Sequence, residues 1–456
     1  MKKKYIIILI LGIFLSNILL YTNLYNINRE NIKPRKDIPI YLNSNSNSLT
    51  LEWNITWGTD QKDIGRRIAN DSIGNIYLVG YTNSYSEGLD DVCLLKYDKY
   101  GNYTWNATWG GSNYDLGHDL AVDKNSDIYV TGYTDSFTVG GDDLCLVRFN
   151  ENGGIIKNIS YGGIATDRGE AIEVDLSSNI YIAGTTNSFG AASNNIWVLE
   201  YNQTLDLQWN ITWGLIGQNR GYDIKLDSNS NIYVLGTTNM LGSSDVCLIK
   251  FDNLGNELWN ITWGSSDTEY QPSFDIDSSG NIYITGDVYG SGYWDAFLAK
   301  FDSTGVYLWN ITWGGNKDDN SLDIIVDQEG DIWITGGTRS FNHGFLDVFL
   351  AKFDSSGNLL TNTTMGGFDN EAGKGITLDS SNNIIIGGYT ESYGAGSDDF
   401  LLLKYKEKAP ISEPGVISFG NIYLIYLASC LASIIYITIK KKLKKKEKVS
   451  KDLVTI

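Results

Sequence analysis

The chain has 456 residues, with 35 Lys and Arg against 54 Asp and Glu, a formal net charge of −19 and an apolar share of 42%. Nucleic acid is excluded as a partner because phosphate binding needs a basic surface, and an aromatic content of 12% excludes a disordered chain. Only two histidines, His118 and His343, are present, which leaves little for zinc sites or histidine-based acid–base chemistry, so no cofactor and no metal is expected.

In chain order, Lys2, Lys3 and Lys4 precede the uncharged run Tyr5–Tyr21, which reads as a signal peptide or N-terminal anchor within residues 1–25, with a linker over 26–50. Residues 51–405 hold a repeated unit. After a second linker, 406–415, Val416–Ile439 contains no charge and is long enough for a transmembrane helix. The Lys-rich residues 440–456 that follow are then a cytoplasmic tail, because a basic flank stays inside. The acidic repeat region is therefore expected outside, in a single-pass protein of the cell membrane, with the bilayer as one partner.

Three strings recur seven times each. Trp53-Asn54-Ile55-Thr56-Trp57-Gly58 returns at 105–110, 209–214, 259–264 and 309–314, with weaker copies at Lys157–Gly162 and Thr361–Gly366. Asn75-Ile76-Tyr77-Leu78-Val79-Gly80 and Asp91-Val92-Cys93-Leu94-Leu95-Lys96-Tyr97-Asp98 recur in step with it, at spacings of 50 or 52 residues. Units of this period with four short β-rich runs predict an all-β, seven-bladed β-propeller of four-stranded antiparallel blades. In the second unit the runs are Asp119–Asp123, Ile128–Gly132, Leu144–Phe149 and Ile155–Ser160, termed strands A to D, with Asp, Asn, Ser and Gly turns between them. The first recognisable element is a D strand, Leu51–Trp57, and the last is a C strand, Phe400–Tyr405. The N-terminal strand should therefore complete the last blade and close the ring. Both ends then leave from the A–B/C–D face, and the D–A and B–C loops face away from the membrane.

The residues Gly110-Gly111 through Asp115, Leu120-Ala121-Val122-Asp123 and Asp127-Ile128-Tyr129-Val130-Thr131-Gly132 resemble the β-propeller repeat called SBBP. The resemblance covers about residues 51 to 405 and implies an extracytoplasmic propeller; it implies no particular reaction. Kelch repeats are similar in period and blade layout, but their Gly-Gly after strand B occurs here only at Gly336-Gly337 and Gly387-Gly388.

What recurs in every unit is read as scaffold. Cys93, Cys145 and Cys247 share a position with Trp197, Phe297, Phe349 and Leu401, and so are buried apolar side chains. The Trp pairs pack between blades, a sugar-stacking platform being the sharper alternative. Asp71 and its equivalents open Asx turns more readily than they would start calcium loops. Asn54, Asn106, Asn158, Asn210, Asn260, Asn310 and Asn362 each begin Asn-x-Ser/Thr, giving seven candidate N-glycosylation sites or else seven outward polar pairs. Asp63, Asp115, Asp167, Asn219, Glu269, Asp319 and Glu371 fall at equivalent places in the D–A loops. They are a candidate channel-mouth ring, or caps for loop amides.

What departs from the unit is a candidate ligand contact. Blade five carries Asp287-Val288-Tyr289-Gly290-Ser291-Gly292-Tyr293-Trp294 in place of the usual loop, and blade six offers Arg339, Asn342, His343 and Phe345. Tyr289, Tyr293, Trp294, Arg339, His343 and Phe345 are therefore the candidate ligand-binding set, Tyr, Trp and Arg being frequent hot-spot residues. With no Gly-x-Ser-x-Gly elbow in the chain, the expected function is a non-enzymatic surface module for a protein or glycan partner at the outward loop face. The alternative is an extracytoplasmic hydrolase or lyase of carbohydrates using loop-face carboxylates.

Overall fold

A computed structural model of the chain describes residues 35–36, 41–44, 48–408 (apart from 192, 215, 240–242, 265–266, 291 and 342–343), 435–436 and 438–442. Residues up to Glu407 form one compact unit, and Lys408 onward belongs to a second. Among the described residues no helix is long and apolar enough to cross a membrane; most of Val416–Ile439 lies outside them.

The first unit is the expected seven-bladed propeller. Blade one consists of Asp63–Asn70, Ile76–Thr82, Asp91–Tyr97 and Tyr103–Trp109, hydrogen-bonded in that order as an antiparallel sheet. The inner A strands of blades two to seven are Asp115–Val122, Asp167–Val174, Asn219–Leu226, Glu269–Ile276, Asp319–Val326 and Glu371–Leu378. B and C strands are buried on both faces, so they read as continuous apolar runs such as Val92-Cys93-Leu94-Leu95. The three cysteines named above are free and buried, filling apolar positions.

Closure follows the expected route. Leu49–Trp57 is the outer strand of blade seven, with Leu51 opposite Tyr405 and Trp57 opposite Phe400. Trp53, Ile55 and Trp57 are buried there, and Trp57 meets Phe400 edge-on at 5.4 Å between ring centroids. Each such Trp also bridges to the next blade: Trp53 covers Gly101, and Trp105 covers Gly153. Both glycines end Asp/Asn-opened C–D turns with φ near +80°, a conformation that costs glycine little, and the missing Cβ leaves room for the indole. The tryptophans thus belong to the inter-blade packing.

Two features depart from the sequence reading. Two short segments of the expected 26–50 linker are strands. Arg35–Lys36 pairs outside Leu49–Trp57, and Tyr41–Ser44 pairs outside Leu359–Gly366, giving blades seven and six a fifth strand. Strand A of blade two also starts at Asp115 rather than Asp119, because Asp115–Gly117 pairs with strand B before a bulge interrupts the alternation that the sequence pattern relies on.

Candidate functional site

The bulge recurs in strand A of every blade. The ladder skips Arg66, His118, Glu170, Tyr222, Leu322 and Lys374 singly, and in blade five it skips Gln271 and Pro272 together. A residue pushed out of the ladder is re-aimed, and here all of them line one cavity of about 140 Å³ at the end of the channel nearer the D–A and B–C loops. Gln271 takes φ of +47°, a backbone conformation that a residue with a Cβ rarely adopts, and so stores strain at the site.

The chemistry of this ring is mixed but tilts positive. His118 Nδ1 lies 2.8 Å from Glu170 Oε2 and 3.1 Å from the Gly169 carbonyl. Burial and the neighbouring Arg66 hold the imidazole below its usual range despite Glu170, so at neutral pH it donates Nδ1–H to Glu170 as a neutral ring. Arg67, one step deeper, donates to the carbonyls of Lys374 at 2.7 Å and Leu322 at 3.1 Å and pairs with Asp323 at 3.3 Å. Arg66 and Lys374 have no acidic partner within ion-pair distance among the described residues. Burial, then repulsion from Arg66 and Arg67, pushes the Lys374 ammonium down to about 8. Two cations without an ion-pair partner thus face one small cavity, Arg66 within the field of Glu170 and Lys374 within that of Asp287.

A second cavity, of about 320 Å³, shares Gln271, Leu322 and Lys374 with the first and adds Tyr270, Asp287, Trp294 and Tyr389. Aromatic rings lead outward along it. Tyr222 meets Tyr270 edge-on at 6.2 Å, Tyr270 lies 6.3 Å from Trp294, and Trp294 meets Tyr289 at 5.2 Å. Asp287 is buried between Asn320 Nδ2 at 3.0 Å and the Ser321 amide at 2.9 Å, and desolvation raises its pKa to about 7.

Below the ring the channel changes sign. Asp119, Glu173, Asp223, Asp275 and Asp323 line a cavity of about 300 Å³ together with Arg67 and Lys225. Four of these carboxylates stitch one blade to the next through backbone amides: Asp119 accepts from Ile172 at 2.9 Å, Asp223 from Phe274 at 3.0 Å, Asp275 from Val326 at 2.7 Å and Asp323 from Ile376 at 2.8 Å. They serve as inter-blade fasteners.

The candidate ring of Asp63, Asp115, Asp167, Asn219, Glu269, Asp319 and Glu371 requires correction. All seven are at most 1% exposed, inside the blades rather than at the channel mouth. Asp167 shows the reason: Oδ1 accepts from Thr186 Oγ1 at 2.5 Å and from the Asn187 and Ser188 amides at 3.2 Å, while Oδ2 accepts from the Gly163 amide at 2.8 Å. Asp319 and Glu371 repeat the arrangement, so capping is their role. Asp71 and its equivalents form Asx turns, Asp71 Oδ1 accepting from Ile73 and Asn75.

Of the candidate ligand contacts, the structure brings Trp294 and Tyr289 to the second cavity's aromatic row. The blade-five insertion is an extended hairpin, Ile282–Gly290 with Tyr293–Phe301, and Tyr293 stands exposed at its tip. Arg339 lies apart from both cavities, 3.6 Å from Asp318, whose other oxygen accepts from the Trp294 amide. Phe345 is exposed, and His343 and Asn342 lie outside the described residues. Sequence reasoning missed Arg66, Lys374 and Tyr222. Their signal was available, since the residue after Gly65, Gly117, Gly169, Gly221 and Gly373 is different in each blade while its neighbours repeat.

Comparison with known proteins agrees with this architecture. Residues 109–137 match the SBBP family model, described as a β-propeller repeat. That segment is thus similar to a known β-propeller repeat, and the chain folds as a seven-bladed β-propeller. It is 23% identical over 266 residues to an uncharacterised WD repeat-containing protein of Acanthamoeba polyphaga mimivirus, covering 46% of this chain and 18% of that protein. Its fold is similar to that of an ulvan lyase, from a new polysaccharide lyase family, bound to a GlcA–Rha3S sugar. That likeness has a TM-score of 0.51 and 10% identity, and covers 76% of this chain and 95% of the lyase. The Neurospora crassa Pan2 WD40 domain is similar with a TM-score of 0.47 and 9% identity, over 75% of this chain and 90% of that domain.

Proposed function

We propose that this protein is a non-enzymatic surface module that binds an acidic glycan at the D–A/B–C end of its channel. The propeller is exported and held at the membrane by Val416–Ile439, with residues 440–456 inside. The observation that carries the reading is the pair Arg66 and Lys374, two cations without acidic partners in a cavity that continues into a row of aromatic rings. A carboxylate or sulfate group fits the small cationic end. Pyranose rings fit the faces of Tyr270 and Trp294, because sugars present C–H groups to aromatic surfaces while their hydroxyls reach Asp287 and Asn320.

A second reading, cleavage of the same polymer, draws on the His118–Glu170 pair in the first cavity. The ulvan lyase supports it only as a protein of similar fold. One experiment separates the two readings. The full chain is titrated with uronate-containing oligosaccharides, their neutral counterparts and an acidic peptide of equal charge, and the sugar chains are sized afterwards. Saturable binding of the acidic sugar alone, unshortened, is expected. Shortened chains favour the enzyme; equal binding of the peptide, or none of the sugar, refutes the glycan reading.

A further inference from the structure

The seven sequons sit at equivalent places on seven outer strands, yet the fold does not treat them alike. In blades one to five the outer strands Tyr103–Trp109, Ile155–Tyr161, Leu207–Trp213, Glu257–Trp263 and Tyr307–Trp313 have no further strand beside them among the described residues. Asn158, Asn210, Asn260 and Asn310 are exposed there. Asn106 is half-buried, with Oδ1 accepting from the Tyr103 hydroxyl at 2.6 Å, which leaves its Nδ2 available. Blades six and seven differ, because the chain covers their outer edges with Tyr41–Ser44 and Arg35–Lys36. Asn54 is only 4% exposed, its neighbours Ile55 and Thr56 standing opposite Lys36 and Arg35. Asn362 directly precedes the residues that Tyr41–Ser44 pairs with.

We infer that Asn106, Asn158, Asn210, Asn260 and Asn310 are N-glycosylation sites and that Asn54 and Asn362 are not. In the transfer, Asn Nδ2 forms a bond to the anomeric carbon of a lipid-linked sugar donor. The carbon–oxygen bond to the donor's phosphate breaks, the phosphate leaves with the lipid, and one amide proton is lost. A sugar on Asn54 would have to displace the Arg35–Lys36 strand that covers the outer edge of blade seven, whereas a sugar on the other five enters solvent. Asn260 also opens on a cleft of about 650 Å³ between blades three and four, walled by Trp213, Thr212 and Glu257, where a first sugar can rest. The five modified strands are the five open edges, and unpaired edges invite pairing with other chains. A bulky polar sugar on each one blocks that. The inference is independent of the ligand proposed for the channel.

The test is to express the full chain in a host that N-glycosylates exported proteins, release the sugars enzymatically in heavy-oxygen water and locate the label by peptide mass spectrometry. Label at all five asparagines and none at Asn54 or Asn362 is expected. Label at either covered site, or a bare asparagine among the five, overturns the assignment. A variant with all five changed to Gln should keep its circular dichroism and melting temperature while associating in sedimentation velocity runs. If it stays monodisperse, the shielding role is refuted.

Discussion

Replacing Asp167 by Ala tests whether the acidic ring of the D–A loops holds the blades or attracts a ligand. The side chain is fully buried and accepts four hydrogen bonds, from Thr186 Oγ1, the amides of Asn187 and Ser188, and the amide of Gly163. A buried donor left without its acceptor costs about 1–3 kcal/mol, more when the lost partner is charged. The Asn187 and Ser188 bonds are long and shared, and the Gly163 amide is half-exposed, so the four together amount to about 3–4 kcal/mol rather than their full sum. Asp167→Asn should cost roughly half as much, because it keeps one acceptor but turns an NH2 group toward the Gly163 amide. Blade four uses Asn219 successfully only because its amide finds the carbonyls of Asn194 and Ile216. The assay is urea unfolding of the purified chain, followed by fluorescence and circular dichroism so that coincident midpoints license a single free energy. Acidic-sugar affinity should not change in either variant. A loss below about 0.5 kcal/mol for the Ala variant, the range of ordinary surface changes, would refute the capping argument.

Arg66→Gln and Lys374→Gln should each weaken acidic-sugar binding by about 10- to 100-fold, the worth of one charge-assisted hydrogen bond, and calorimetry at two salt concentrations reads the loss. Binding should also fall as pH rises through about 8, where Lys374 loses its proton. The sign for stability is opposite: the depressed folded-state pKa lies below the ordinary 10.5, so the unfolded chain binds more protons between the two values. Without ligand, stability therefore rises with pH across that window, and pH-dependent melting checks it. Trp294→Ala should preserve the melting temperature and reduce affinity for long acidic sugars more than for a single uronate, since only the longer chain reaches the aromatic row. Deleting residues 35–57 removes Trp53, Ile55 and Trp57 from the core of blade seven, about 6–9 kcal/mol of burial against a typical total of 5–15. Size-exclusion chromatography should then show aggregate in place of a monomer.

The ring was legible in the sequence because blade packing demands the same side chains seven times. The Trp pairs, the cysteines in apolar positions and the strand order that seals the last blade all followed from repetition. The site was less legible, for the converse reason. Repetition led to Asp63 and its equivalents, which repeat because every blade needs a cap, and that is a scaffold property. The bulge residues share no type, Arg66, His118, Glu170, Tyr222, Leu322 and Lys374 having nothing in common except their place as the fourth residue of each inner strand. A one-residue bulge also breaks the period-two alternation, so the pattern gives no hint that these side chains point into the channel. The strands at 35–36 and 41–44 were hidden differently, being too short to show a period at all.

The position of the two unpaired cations relative to the seam adds a physical consequence. Arg66 belongs to blade one and Lys374 to blade seven, the two blades that meet where the chain closes on itself. Their repulsion, together with that of Arg67, acts across the joint that Leu49–Trp57 has to hold shut, and the joint resists it with the buried contacts of Trp57, Phe400 and Ile68. Arg67 eases part of the strain by bonding the carbonyls of Lys374 and Leu322, which ties blade one to blades seven and six through the channel. On the proposed function, an acidic sugar bound between Arg66 and Lys374 would remove the rest. It would then stabilise the closed ring as well as occupy a pocket, so ligand affinity and resistance to opening at the seam would be two readings of one free energy.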